Sequence, residues 1–108
     1  MDVVYHGTSD RYSGQIPTTS TDVGQVLVLD QRFSNTTWVD LSTITGGPGG
    51  GGNPAGARLG MAVSGNLLTL NVLDVAGADK QINCAINNGH LLVASDCAMA
   101  WSTLPATP

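Results

Sequence analysis

The chain has 108 residues, 42% of them hydrophobic, enough for one domain with a modest core, yet only 11% are charged, against about 25% in ordinary globular domains. All eight acidic residues are Asp, the only lysine is Lys80 and the formal net charge is −4. With Arg11, Arg32, Arg58 and Lys80 scattered along the chain there is no basic patch to meet phosphates, which excludes DNA or RNA as a direct partner.

Long helix-forming side chains are scarce while Val, Thr, Asn and Gly abound, so strands and turns are expected throughout. Residues 1–21, with Gly7, Gly14, Pro17 and the run Thr18-Thr19-Ser20-Thr21, read as an extended N-terminal arm carrying a short strand at Val3–Tyr5. The first residues show neither the basic start nor the apolar stretch of a leader, which favours synthesis in the cytoplasm unless a leader has been removed. Gln25–Leu29 and Thr36–Leu41 form a hairpin turning at Ser34-Asn35.

Residues 46–54, Gly-Gly-Pro-Gly-Gly-Gly-Gly-Asn-Pro, are expected to be a flexible loop within a single β domain spanning 22–108. A meander follows: Ala57–Val63, a turn at Ser64-Gly65-Asn66, Leu67–Leu73, a turn near Gly77, Gln81–Ile86, and His90–Ala94. Asn88-Gly89 is a strong hairpin signal because both positions accept positive φ. It would set Ile86 opposite Leu91, Cys84 opposite Val93 and Ile82 opposite Ser95, burying Ile82, Cys84, Ile86, Leu91 and Val93 on one face. In that register Cys84 and Cys97 do not face each other, so free, partly buried thiols are expected. The apolar run Leu67–Val75 is broken by Thr69, Asn71 and Asp74 and is too short to cross a bilayer, so no membrane partner is expected. The stretch Gly24–Asp30 followed by Trp38 and Leu41 also aligns, with a two-residue gap, on Gly89–Ser95 followed by Trp101 and Leu104. Each half would then hold a strand, a turn and a Trp-bearing strand. The fold class expected is all-β, a small antiparallel sandwich or barrel.

No catalytic, cofactor or metal set emerges. Gly47, Gly49 and Gly52 satisfy G-x-G-x-x-G but lack the preceding strand and following helix, and no Gly-Lys-Ser/Thr occurs. His6 and His90 have no local Ser or Cys with an orienting acid, and four Cys and His residues spread from 6 to 97 lack zinc spacing. Asp22, Asp30, Asp40, Asp74, Asp79 and Asp96 flank strands, where Asp usually bonds its own backbone. The segment Asp74–Asp79 lacks the dense acids of a calcium loop. Asn35-Thr36-Thr37 is a glycosylation triplet. Trp38 and Trp101 suit core, subunit contact or sugar stacking. No enzyme is expected.

The segment Val23-Gly24-Gln25-Val26-Leu27-Val28-Leu29-Asp30, followed by Thr37-Trp38-Val39-Asp40, resembles short β-modules of tailed-bacteriophage structural proteins. Those modules pair a Gly-Gln/Asp-Val-Leu strand with a Trp-Val strand, and the likeness covers about 18 of the 108 residues. It implies a virion accessory protein, foremost a decoration (cement) protein of the capsid. Such a protein is made in the host cytoplasm, forms a homotrimer, and contacts the major capsid protein or another virion protein. Tail-fibre or head-fibre domains are the neighbouring reading, and a secreted carbohydrate-binding or adhesin module the alternative from another class. The interface residues expected on this view are Val3, Val4, Tyr5, Trp38, Leu41, Trp101 and Leu104.

Overall fold

In the computed structural model, which describes residues 1–105, two four-stranded antiparallel sheets face one another; the last three residues of the expected 22–108 domain lie outside the described residues. The first sheet holds β1 (Asp2–His6), β2 (Asp10–Gln15), β3 (Leu27–Asp30) and β4 (Val39–Asp40), in that spatial order. The second holds β5 (Gly56–Ser64), β6 (Leu67–Asp74), β7 (Asp79–Ala85) and β8 (Ser102–Thr103), again in sequence order. The extents are 36 × 33 × 22 Å. The short axis suits two sheets stacked about 10 Å apart with side chains on both outer faces. The fold is an all-β sandwich, and the sheets do not close into a barrel.

Period-two alternation builds the core. In β6, Leu68, Leu70 and Val72 are buried while Leu67 and Asn71 point to solvent, as expected for a strand with one wet face. Its turn from β5 places Gly65 at φ 58, the sign a two-residue hairpin requires. From the first sheet and the residues flanking β3 and β4 come Tyr12, Val26, Val28 and Leu41, all fully buried. Gly14 of β2 faces inward, and a Cβ there would collide with Met61 Sδ and with Leu59 Cδ2; the missing side chain lets the two sheets approach. One seam between the sheets is closed by hydrogen bonds that the side chains of β1 make. Asp2 Oδ2 accepts from the Met61 N–H at 2.7 Å, and His6 Nε2 lies 2.9 Å from Asn66 Oδ1.

Three expectations are corrected. The N-terminal arm is no arm: residues 2–6 and 10–15 form a hairpin whose second strand pairs with β3 from Tyr12–Asp30 to Gln15–Leu27. Inward-facing Val4 and Tyr12 anchor it.

The Gly-rich loop is a packed element. Its backbone bonds Gly49 N to Pro54 O at 2.8 Å, Gly50 N to Gly47 O at 3.1 Å and Asn53 N to Gly50 O at 2.9 Å. Pro48 is fully buried, and Ser42 Oγ accepts from Val26 N at 2.7 Å while donating to Pro48 O. A Cβ on Gly50 would run into Ser42 O, and one on Gly49 into Gly24 O. Glycine serves here for close approach as much as for freedom.

The third correction concerns residues 86–97. Asn88-Gly89 does turn, but β7 ends at Ala85 and no strand returns over His90–Ala94. Ile86 N bonds Asn66 O at 2.8 Å, and Cys84 pairs with Cys97 instead of Val93. The two cysteines form a disulfide, and neither is free. Because the two halves of the expected repeat have different structures, the repeat carries no structural meaning. Among the described residues no helix is long and apolar enough to cross a membrane.

Candidate functional site

The outer faces of the two sheets differ in chemistry. On the second sheet the outward rows are Ala62–Thr69–Asn83 and Gly60–Asn71–Gln81. They are tied by hydrogen bonds from Thr69 Oγ1 to Asn83 Oδ1 (2.7 Å) and from Gln81 Nε2 to Asn71 Oδ1 (3.0 Å). These two central rows are polar and internally bonded, while Leu67, 40% exposed, and half-buried Leu73 flank them toward the two ends of β6.

The first sheet presents apolar side chains outward. Val3, Ser13 and Leu29 stand opposite one another across β1, β2 and β3, Tyr5 opposes Arg11, and Leu27 opposes Gln15 on one side and Asp40 on the other. Continuing the β3–β4 register by one residue sets Trp38 against Leu29. Val3, Leu27, Leu29 and Trp38 are outside the core cluster, and Tyr5 is 53% exposed. The polar members are compact: Ser13 Oγ donates to Gln31 Oε1 at 2.6 Å. Arg11 and Asp40 are the charges on this face and cancel. A neutral apolar band carrying Trp and Tyr has the composition of a protein contact surface.

A buried ion pair fixes the end of this sheet. Asp30, 1% exposed, meets Arg32 through Nε–Oδ1 (3.0 Å) and Nη2–Oδ2 (2.7 Å). The guanidinium also donates to Asn87 O (2.6 Å) and His90 O (2.8 Å), and Leu92 N donates to Asp30 Oδ2 (2.9 Å). These bonds draw residues 87–92 across to the first sheet, which is why the chain returns to β7 only at Cys97. Burial alone would raise the Asp30 carboxyl, but the hydrogen bonds from Arg32 and Leu92 outweigh it and hold it below the usual carboxylate value; Asp30 in turn raises Arg32. Tyr12 stacks on the guanidinium at 5.6 Å, and burial followed by the charge of Asp30 pushes its phenol up to about 12. Beyond the pair, Phe33 holds φ 56 and is 74% exposed, a strained position for an aromatic residue.

The structure separates the seven expected interface residues. Val3 and Tyr5 share the outer face of the first sheet, and alternation from core-packed Val39 sets half-buried Trp38, just before β4, toward the same side, whereas Val4 packs inward against the core. Leu41 and Trp101 are core: Leu41 is fully buried, and Trp101 Nε1 donates to Leu41 O at 3.0 Å. Leu104 is half-buried beside β7, its N–H bonded to Asp79 O at 2.8 Å. Leu27 and Leu29, read from sequence simply as strand residues, belong to the outer face. Their alternation with buried Val26 and Val28 is the signal that could have assigned them.

His90 pairs with Asp96 at 3.0 Å, but the adjacent Cys97 is oxidised, so no thiol nucleophile stands there. The Asn35 side-chain nitrogen that a glycan would occupy donates to Asp30 O at 2.8 Å. Asp40 and Asp74 bond nearby backbone N–H groups, as expected of Asp beside turns. Among the described residues no three His, Cys, Asp or Glu side chains come together as a metal site.

Comparison with protein-family models, curated proteins and solved structures finds no match.

Proposed function

We propose that the protein is a non-enzymatic assembly component of a virus particle, a decoration protein that binds the shell through the outer face of its first sheet. The observation that carries this reading is the apolar band of Val3, Leu27, Leu29, Trp38 and Tyr5 on that outer face. Burying such a band yields roughly 25 cal/mol per Å² of apolar area, and the aromatic residues are the natural anchors of a contact. The partner is the major capsid protein or another virion protein, and the working form is a homotrimer. The Cys84–Cys97 bridge suits a protein that acts outside the reducing cytosol, as virion surface proteins do.

Mass spectrometry of particles purified from the cells that make the protein tests this reading. Wild type should be recovered with the particles, and Trp38→Asp should be lost from them while its thermal unfolding stays unchanged. Wild type missing from the particles, or Trp38→Asp retained at wild-type level, would refute it.

A further inference from the structure

Beside β4 the Gly-rich loop encloses an open cleft of about 390 Å³, lined by Gln25, Asp40, Thr43, Asn53 and the backbone of Gly49–Gly51. That volume falls in the range of small-molecule sites, about 300–1,000 Å³. The walls are fixed before any ligand arrives. The loop is held by its internal backbone bonds, by buried Pro48, and by Ser42 Oγ bridging Val26 N and Pro48 O. A ligand would therefore bear little of the cost of ordering it.

Asp40 is equally set. Its Oδ1 accepts from Ser42 N at 2.8 Å, and with the Gln25 amide turned so that its nitrogen faces the carboxylates, that nitrogen donates to Asp40 Oδ2 and to Asp22 Oδ1 at 3.1 Å each. The Asn53 amide donates to Gly47 O at 3.2 Å, and the Thr43 hydroxyl to Asp40 O at 3.0 Å.

The lining narrows the ligand chemistry. Asp40 is the only ionisable side chain among the lining residues, so an anion is repelled. A hard cation finds a single carboxylate among the lining side chains, where calcium takes six to eight oxygen ligands with several carboxylates among them. Ile44 is the only apolar side chain in the wall, which gives an apolar ligand too little to bury. What remains is a carboxylate acceptor, two amides, the hydroxyls of Ser42, Thr43 and Thr45, and bare glycine backbone. Hydroxyl groups, each both donor and acceptor, complement such a set. We propose that this cleft binds a neutral, polyhydroxylated ligand, a single monosaccharide unit. The cleft borders the assembly face and shares Asp40 with it, but the ligand it takes does not depend on that face's partner.

The test is amide-resolved NMR of the intact chain titrated with D-glucose, D-galactose, D-mannose or N-acetylglucosamine, and separately with calcium chloride and inorganic phosphate. At least one sugar should shift the amides of residues 40–53 with a dissociation constant in the millimolar range. Asp40→Asn, which keeps an acceptor for Ser42 N, and Thr43→Trp, which fills the mouth from an exposed position, should each weaken that binding by about tenfold or more. Both variants should unfold at the wild-type temperature. The proposal is overturned if none of the four sugars shifts these amides, if only calcium or phosphate does, or if both folded variants bind like wild type.

Discussion

At the scale of single residues, Asp30 and Arg32 matter most to the fold. The pair is nearly fully buried and holds three backbone groups of the 87–92 segment. Removing one partner strands the other as an uncompensated buried charge, so Asp30→Asn is expected to cost about 3–5 kcal/mol in denaturant unfolding. Replacing both, as Asp30→Leu with Arg32→Met, should restore part of that loss. The Asp30 and Asp96 carboxyls both lie below their ordinary value. Their contribution is therefore present above the unfolded carboxylate value of about 3.9 and is lost as pH falls through the lower folded values. Thermal unfolding should be flat from neutral pH down to about pH 5 and fall steeply below about pH 4, and Asp30→Asn should blunt that acid limb. Tyr12 presents the opposite case: its hydroxyl is buried without a hydrogen-bond partner. Tyr12→Phe should raise stability by about 1 kcal/mol, measured in the same denaturant series.

At the scale of elements, the Cys84–Cys97 bridge ties the 94–97 turn to β7 across a separation of 13 residues. Closing a loop of that length constrains the unfolded chain by about 3 kcal/mol in the entropy model. Reduction, or Cys84→Ser, should lower unfolding stability by that order. Had the thiols been free, as local pattern alone suggests, dithiothreitol would leave the unfolding curve in place. The elements that were legible from sequence are those set by local pattern. The strands β3, β5, β6 and β7 follow from apolar alternation, and the turn at Gly65 from glycine chemistry. The rest depended on contacts distant in sequence. Nothing near Asn88 reveals that Arg32, 55 positions before Asn87, will hold Asn87 O and His90 O. Without that grip the hairpin register follows local rules and goes wrong, and the pairing of the cysteines goes wrong with it. Likewise the polar stretch of residues 1–21 hid a hairpin, because Val4 and Tyr12 suffice to anchor it once a facing sheet exists.

At the scale of the whole molecule, the two meander sheets bury one apolar layer between them and leave a second, thinner one outside the first sheet. Val3, Tyr5 and Trp38, contact residues by sequence, share that outer face, whereas Leu41 and Trp101 went to the core. An indole at a position such as 101 reads the same for either fate until its N–H finds the Leu41 carbonyl. If the outer band is an assembly surface, the state of the protein in solution must depend on it. Light scattering coupled to size-exclusion chromatography reads that state. The expected result is a wild-type species of about 33 kDa, three times the 11.1 kDa chain, and a folded monomer for Leu29→Asp or Trp38→Asp. A wild-type monomer at every concentration reached, or a trimer untouched by either substitution, would contradict an assembly role for this face.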